Sequence, residues 1–148
     1  MATPLQPGAL AHDLPFMDNA RAEFMKRLAI ADQAGDAQLP AAWRNLVACA
    51  AETFSREDLW MHSTGFSTRR DHMLQHRVVL GVMREGIVQA EAGHLPQVRQ
   101  MVWELRDWYD KHVQSADAAL ALHLRGKRFK PANERLDPAS AQTSPARS

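Results

Sequence analysis

The stretch DHMLQHRVVLGVM, Asp71 to Met83, decides the fold. Within it His72, His76, Val79 and Met83 recur at spacings of three and four, the repeat of a single helix face. That face should be buried, yet it sets two imidazoles one turn apart. Titratable groups in a core are costly unless they are hydrogen-bonded, paired or bound to a metal. His72 and His76 are therefore the first candidates for chemistry.

Three more stretches of the same kind surround it. A first helix is predicted from near Pro15 to about Gln33, with Met17, Arg21, Phe24, Leu28 and Ala31 on one face. The segment AGDAQLP breaks it, with Gly35 as a stop signal and Pro40 opening the next helix. The second runs from about Pro40 to Met61, with the stripe Trp43, Leu46, Ala50, Thr53, Glu57 and Trp60. After HSTGFST, the third spans about Thr68 to Ala92 and adds Ile87 to its stripe. AGH turns the chain into a fourth, Leu95 to about Leu124, carrying Val98, Val102, Leu105, Tyr109, His112 and Ala116. Strand-like alternation is nearly absent. Long helices joined by short loops predict an all-α protein, an antiparallel up-down-up-down four-helix bundle over residues 14–125. Residues 1–13, with two prolines and no periodicity, are expected to form an extended arm. Residues 126–148 begin with the basic GKRFKP and continue into the Pro/Ser-rich DPASAQTSPARS, a composition expected to stay disordered.

Composition narrows the function. A chain of 148 residues fits one domain with a single core. A net charge of +1 provides no field directed at nucleic acid or an acidic membrane. Cys49 is the only cysteine, so no intramolecular disulfide forms, which fits a reducing compartment. The N-terminal stretch lacks the pattern of a signal peptide, and no apolar run approaches the ~18 residues of a membrane span. The expectation is a cytoplasmic protein with neither nucleic acid nor membrane as a partner, its protein partners unspecified.

The inward stripes carry Glu57 on the second helix, His72 and His76 on the third, and His112 on the fourth. Imidazoles at i and i+4 lie ~5–6 Å apart at Cβ and can converge on one cation. Histidine with carboxylate suits iron, zinc or manganese better than calcium. The alternative is that each histidine satisfies a core hydrogen bond, since a chance H-x-x-x-H is not rare among seven histidines. Asp117 follows His112 by five residues, which turns about 140° around an ideal helix. By spacing it is equally a ligand or a solvated acid.

The order Glu57, His72, His76, His112 and Asp117, written E…HxxxH…HxxxxD, resembles hemerythrin and the bacterial hemerythrin-like proteins. PFMDNARAEF, TFSREDLWM and WYDKHVQSAD resemble segments of that family's first, second and fourth helices, and the likeness covers about residues 15–125. The family is a four-helix bundle holding a non-heme di-iron centre, used for reversible oxygen binding, sensing or storage. The resemblance implies that His72, His76 and His112 match the iron held by three histidines, and that Glu57 and Asp117 match the bridging carboxylates. Two further histidines hold the second, oxygen-binding iron. At those two places this sequence has Arg21 and Thr53. His12, His62, His94 and His123 are not spaced to replace them.

Arginine keeps a fixed charge and is not a metal ligand. At an inward position Arg21 is expected either to donate to Glu57 or Asp117, or to reach the bundle rim with its head in water. The resemblance with these replacements implies a metal-binding protein with a degenerate, mononuclear site. Iron is the expected metal, with zinc as the alternative, and the expected roles are sensing, storage or regulation. Dioxygen or another diatomic is the expected small ligand. No catalytic constellation is visible, so an enzyme is not expected. The rival readings are an oxygen-binding di-iron hemerythrin and a metal-free interaction module. The four tryptophans are expected in the core or at the bundle edge, and Cys49 as a small core residue.

Overall fold

A computed structural model describes residues 12–131 of the chain. Most of the arm expected over residues 1–13 and of the tail expected over 126–148 lies outside the described residues. The described residues contain α1 (Pro15–Gln33), α2 (Leu39–Ser63), α3 (Arg69–Glu91) and α4 (Leu95–His112). A single π-helical turn, Val113–Asp117, then leads into α5 (Ala118–Gly126). No strand occurs among the described residues. The fold is the four-helix bundle the periodicity predicts, with α5 continuing the fourth helix.

Proline near the N-terminus of α1, α2 and α4 begins each helix where a missing N–H costs nothing. Gly65 (φ +67°) and Gly93 (φ +85°) take the left-handed turns that reverse the chain after α2 and α3. Side-chain contacts fix the direction of travel. The indole N–H of Trp43, early in α2, donates to the Met83 carbonyl late in α3, whereas Glu57, late in α2, faces His72 and His76 early in α3. On α1 and α4, Phe24 stacks on Tyr109, and Asp32 pairs with Arg106. Gln75 of α3 meets His112 at the end of α4. Neighbouring helices therefore run antiparallel.

Close packing at one crossing depends on a missing side chain. A Cβ on Gly86 of α3 would stand 2.6 Å from Trp43 Nε1 and 2.9 Å from Met101 Sδ. The glycine lets the buried indole of α2 lie against the backbone of α3.

The core divides into two apolar clusters. The larger holds Phe24, Leu28, Trp43, Leu46, Val98 and Val102 among others, toward the α1–α2 turn. The smaller holds Phe16, Met17, Trp60, Met61, Leu120 and Leu124 at the opposite end. Phe129 packs against Phe16 and Trp60 there. The buried polar residues are Thr53, Glu57, His72, His76, His112 and Asp117.

The predicted stripes are buried with three exceptions. Arg21 and Ile87 are half-buried, and so is Ala116, which the 3.6-residue repeat placed inward. The π turn advances the helix by an extra residue, so Asp117 takes the buried position instead. Trp43 and Trp60 are core residues, Trp108 and Cys49 are half-buried, and Trp103 is exposed.

Candidate metal centre

Four segments bring the polar layer together. Glu57 comes from α2, His72 and His76 from consecutive turns of α3, His112 from the last turn of α4, and Asp117 from the end of the π turn. A π turn closes i→i+5 hydrogen bonds. Residues five apart then sit one above the other, which brings Asp117 under His112 instead of 140° away.

His72 Nε2 lies 3.1 Å from Asp117 Oδ1 and 3.5 Å from Glu57 Oε1. His76 Nε2 lies 3.2 Å from Glu57 Oε1, and His112 Nε2 lies 3.2 Å from Asp117 Oδ1. One ligand atom from each of the five residues lies within 4.8 Å of all the others. All five residues are buried, and the three histidines are at most 2% exposed.

None of these five atoms has a hydrogen-bond partner among the described residues. Each close approach has the distance of an ion pair without the alignment of a hydrogen bond. Buried polar atoms left in this way cost ~1–3 kcal/mol each, more when charged. Two ligand atoms ~2.1 Å from one ion and at right angles to each other stand ~3.0 Å apart, close to the spacings found here. The donor set of three imidazoles and two carboxylates thus fits a transition-metal ion.

The outer nitrogens are held separately. His76 Nδ1–H donates to Asp58 Oδ1 at 2.7 Å, and His112 Nδ1–H donates to Gln75 Oε1 at 2.8 Å. Each bond fixes the tautomer that leaves Nε2 with its lone pair facing inward. Two rings are also clamped by stacking: Phe54 on His76 at 4.1 Å, and Trp108 on His112 at 4.5 Å between centroids. Sequence reasoning missed Asp58, Gln75, Phe54 and Trp108 as parts of the site. The available signal was adjacency: Asp58 follows Glu57 and Gln75 precedes His76.

Electrostatics follow from the burial. Desolvation alone would lower the pKa of His72, but Asp117 and Glu57 outweigh it and raise the value to about 9. Desolvation likewise opposes a charge on His76, and Asp58 and Glu57 reverse the sign, so its pKa is raised. For Asp117, burial would raise the pKa, yet His112 and His72 hold it well below the usual carboxylate range.

Thr53 is buried one turn before Glu57, and Arg21 is half-buried on α1. Neither belongs to the cluster, and neither offers a nitrogen ligand. The pairing considered for Arg21 with Glu57 or Asp117 is not made. Its Nη2 faces Asp18 instead, at 3.9 Å, because the long side chain carries the charge toward the rim. His94 bonds Gln89, His123 bonds Thr64, and neither joins the cluster, nor do His12 and His62.

A buried layer of three imidazoles and two carboxylates, presented by helices of one bundle, defines a metal-binding helical-bundle protein. Among characterised proteins the chain is similar to the bacteriohemerythrin of Ralstonia nicotianae, with 30% identity over 96 residues, 65% of this chain and 69% of that protein. The chain belongs to the hemerythrin-like family. No family model and no solved structure matches it.

Proposed function

We propose that this chain is a non-heme iron protein whose site holds a single ion and serves sensing, storage or regulation. The observation that carries the reading is the convergence of five buried, unpartnered atoms from His72, His76, His112, Glu57 and Asp117. These residues would hold the ion. Bound there, iron would supply redox change and an affinity for dioxygen or another diatomic.

The chain's own residues do the rest. With the ion bound, the Nε2 atoms of His72, His76 and His112 would face it, and Asp58 and Gln75 keep the second and third of these rings oriented. Glu57 and Asp117 balance the charge of the cation. Phe54 and Trp108 exclude water from the ring faces. A single ion is favoured because Arg21 and Thr53 supply no imidazole for a second one. Iron is favoured over zinc by the kinship with a hemerythrin and by the five converging donors, since protein zinc sites usually take four.

The test is metal content and identity in protein purified without added metal, together with absorption spectra with and without oxygen. One iron per chain is the expected result. Two irons with oxo-bridged absorption would establish a di-iron oxygen carrier instead. A chain that binds neither iron nor zinc would be a metal-free interaction module.

A further inference from the structure

Besides the face it buries, α3 shows a second apolar face to solvent. Leu74, Val78 and Val82 are 50%, 59% and 52% exposed. They follow one another at intervals of four, so they form one row along the helix. Single exposed aliphatic residues are ordinary on a surface, but a contiguous row marks a place of contact. The row borders a groove of about 200 Å³ between α3 and α4. Val78 and Val82 stand on its α3 side, Met101 and Trp108 on its α4 side, and the buried Trp43 and Leu105 also line it.

Gly81 lies beside this row, three residues after Val78, and is exposed. A Cβ there would meet nothing within 4 Å. Unlike Gly86, it answers to no neighbour inside the chain, and glycine within a helix is unfavourable relative to alanine. What its missing side chain permits is the close approach of a second helix from outside.

The charges around the row are unused and balanced. Arg70, Arg77 and Arg84 stand seven residues apart, which at about 100° per residue puts them on the flank away from the groove. Asp71 and Glu85 lie seven residues before and after Val78, in line with it, and Glu104 lines the groove. All six are exposed, and among the described residues none makes an ion pair. Glu85 and Glu104 only accept from the amides of Gln89 and Gln100. A polyanion would meet the acids and a polycation the arginines. A face with both signs complements a copy of itself, because a two-fold pair makes every such contact twice.

We propose that this face of α3 and α4 pairs with the same face of a second copy, as a reversible two-fold dimer. The aliphatic row of each copy lies along the groove of the other, and the arginines of each face the acids of the other. The face measures ~22 Å along α3 by the ~20 Å of two helices, less than the ~800 Å² per partner of a standard interface, so the pair exchanges with monomer. Pairing covers Trp108, whose ring stacks on His112. None of the five clustered residues takes part, so the dimer does not require the metal.

Sedimentation velocity of the full chain, as purified and after chelation, tests this from about 1 μM to about 1 mM. The expected result is a reversible monomer–dimer equilibrium in both forms. Val78→Asp should raise the dissociation constant about tenfold or more, roughly 1.4 kcal/mol. Gly81→Leu should weaken pairing as much while the melting temperature of the monomer holds or rises, since leucine is the better helix former. A chain with Arg77→Glu and Arg84→Glu, and another with Asp71→Arg and Glu85→Arg, should each pair poorly alone and pair with each other when mixed. A chain that stays monomeric in both forms overturns the proposal and leaves the face to a different protein. A dimer unchanged by Val78→Asp and Gly81→Leu, or charge variants that stay apart on mixing, also overturns it.

Discussion

At the scale of single residues, the centre depends on side chains that never touch the ion. Asp58 and Gln75 hold the outer nitrogens of His76 and His112. Asp58→Asn and Gln75→Leu should each weaken metal binding ~10–100-fold, the usual effect of losing such a partner, with helix content unchanged. Competition against a chromophoric chelator measures it, and unaltered affinity in both variants would show that stacking alone orients the rings. His72 gives the centre its pH dependence. Its folded pKa of about 9 stands above the ordinary 6.5, so in the metal-free chain a protonated His72 stabilises the fold. That contribution, on the order of 3 kcal/mol at most, is fully present below pH ~6.5 and fades as the pH climbs through about 9. Asp117, with a depressed pKa, contributes above its unfolded value near 3.8 and loses that contribution only in strong acid. Metal requires the neutral imidazole, so its affinity should run the opposite way, rising from pH ~6.5 and levelling off above about 9. Thermal melts and metal titrations across pH 6–10 should therefore show metal-free stability falling while affinity rises. Parallel trends would mean that His72 carries no proton in the metal-free chain.

At the scale of elements, the π turn at Val113–Asp117 is the decisive departure from regular winding. Deleting Ala116 would leave His112 and Asp117 four apart, still one turn on the same face of an ordinary α-helix. Adding one residue after Ser115 would rotate everything beyond it by ~100°. Leu120 and Leu124, now fully buried, would turn toward water, at roughly 1.5–3 kcal/mol each. The deletion should keep the fold and the insertion should unfold α5, as read by circular dichroism and urea denaturation; equal damage from both would mean that the wide turn does not set the register. The same turn limits what the sequence discloses. The stripes of α1, α2 and α3 are legible because they follow the 3.6-residue repeat. Glu57, His72, His76 and His112 stand out because each interrupts such a stripe with a titratable group. Asp117 is ambiguous by spacing, since a one-residue widening leaves no mark in the periodicity. Asp58 and Gln75 are silent for another reason: their partners lie on other helices, and only the packing reveals the pairing. Arg21 is the intermediate case. Its inward register is legible, but where a long flexible side chain puts its charge is decided by its surroundings.

At the scale of the whole molecule, the polar residues form one layer within the bundle, and the apolar clusters at its two ends carry the rest of the core. The layer joins only part of the bundle. The clustered ligand atoms come from α2, α3, α4 and the π turn, while α1 contributes none of the five. Phe24 against Tyr109 and Phe16 against Trp60 are apolar contacts that hold α1 to its neighbours. Any ligand that binds the folded chain alone stabilises it, by ~4 kcal/mol at a thousandfold excess over Kd. That stabilisation should be uneven. Loading the metal should slow amide exchange most around Glu57, His72 to His76 and His112 to Asp117, whose openings would have to release the ion. The middle of α1, from Arg21 to Leu28, should gain only what the global unfolding equilibrium transmits. Hydrogen exchange followed by mass spectrometry, with and without metal, resolves the two patterns. Protection rising as much in α1 as in α3 would mean that the bundle opens only as a unit, and protection rising nowhere would remove the metal from the centre altogether.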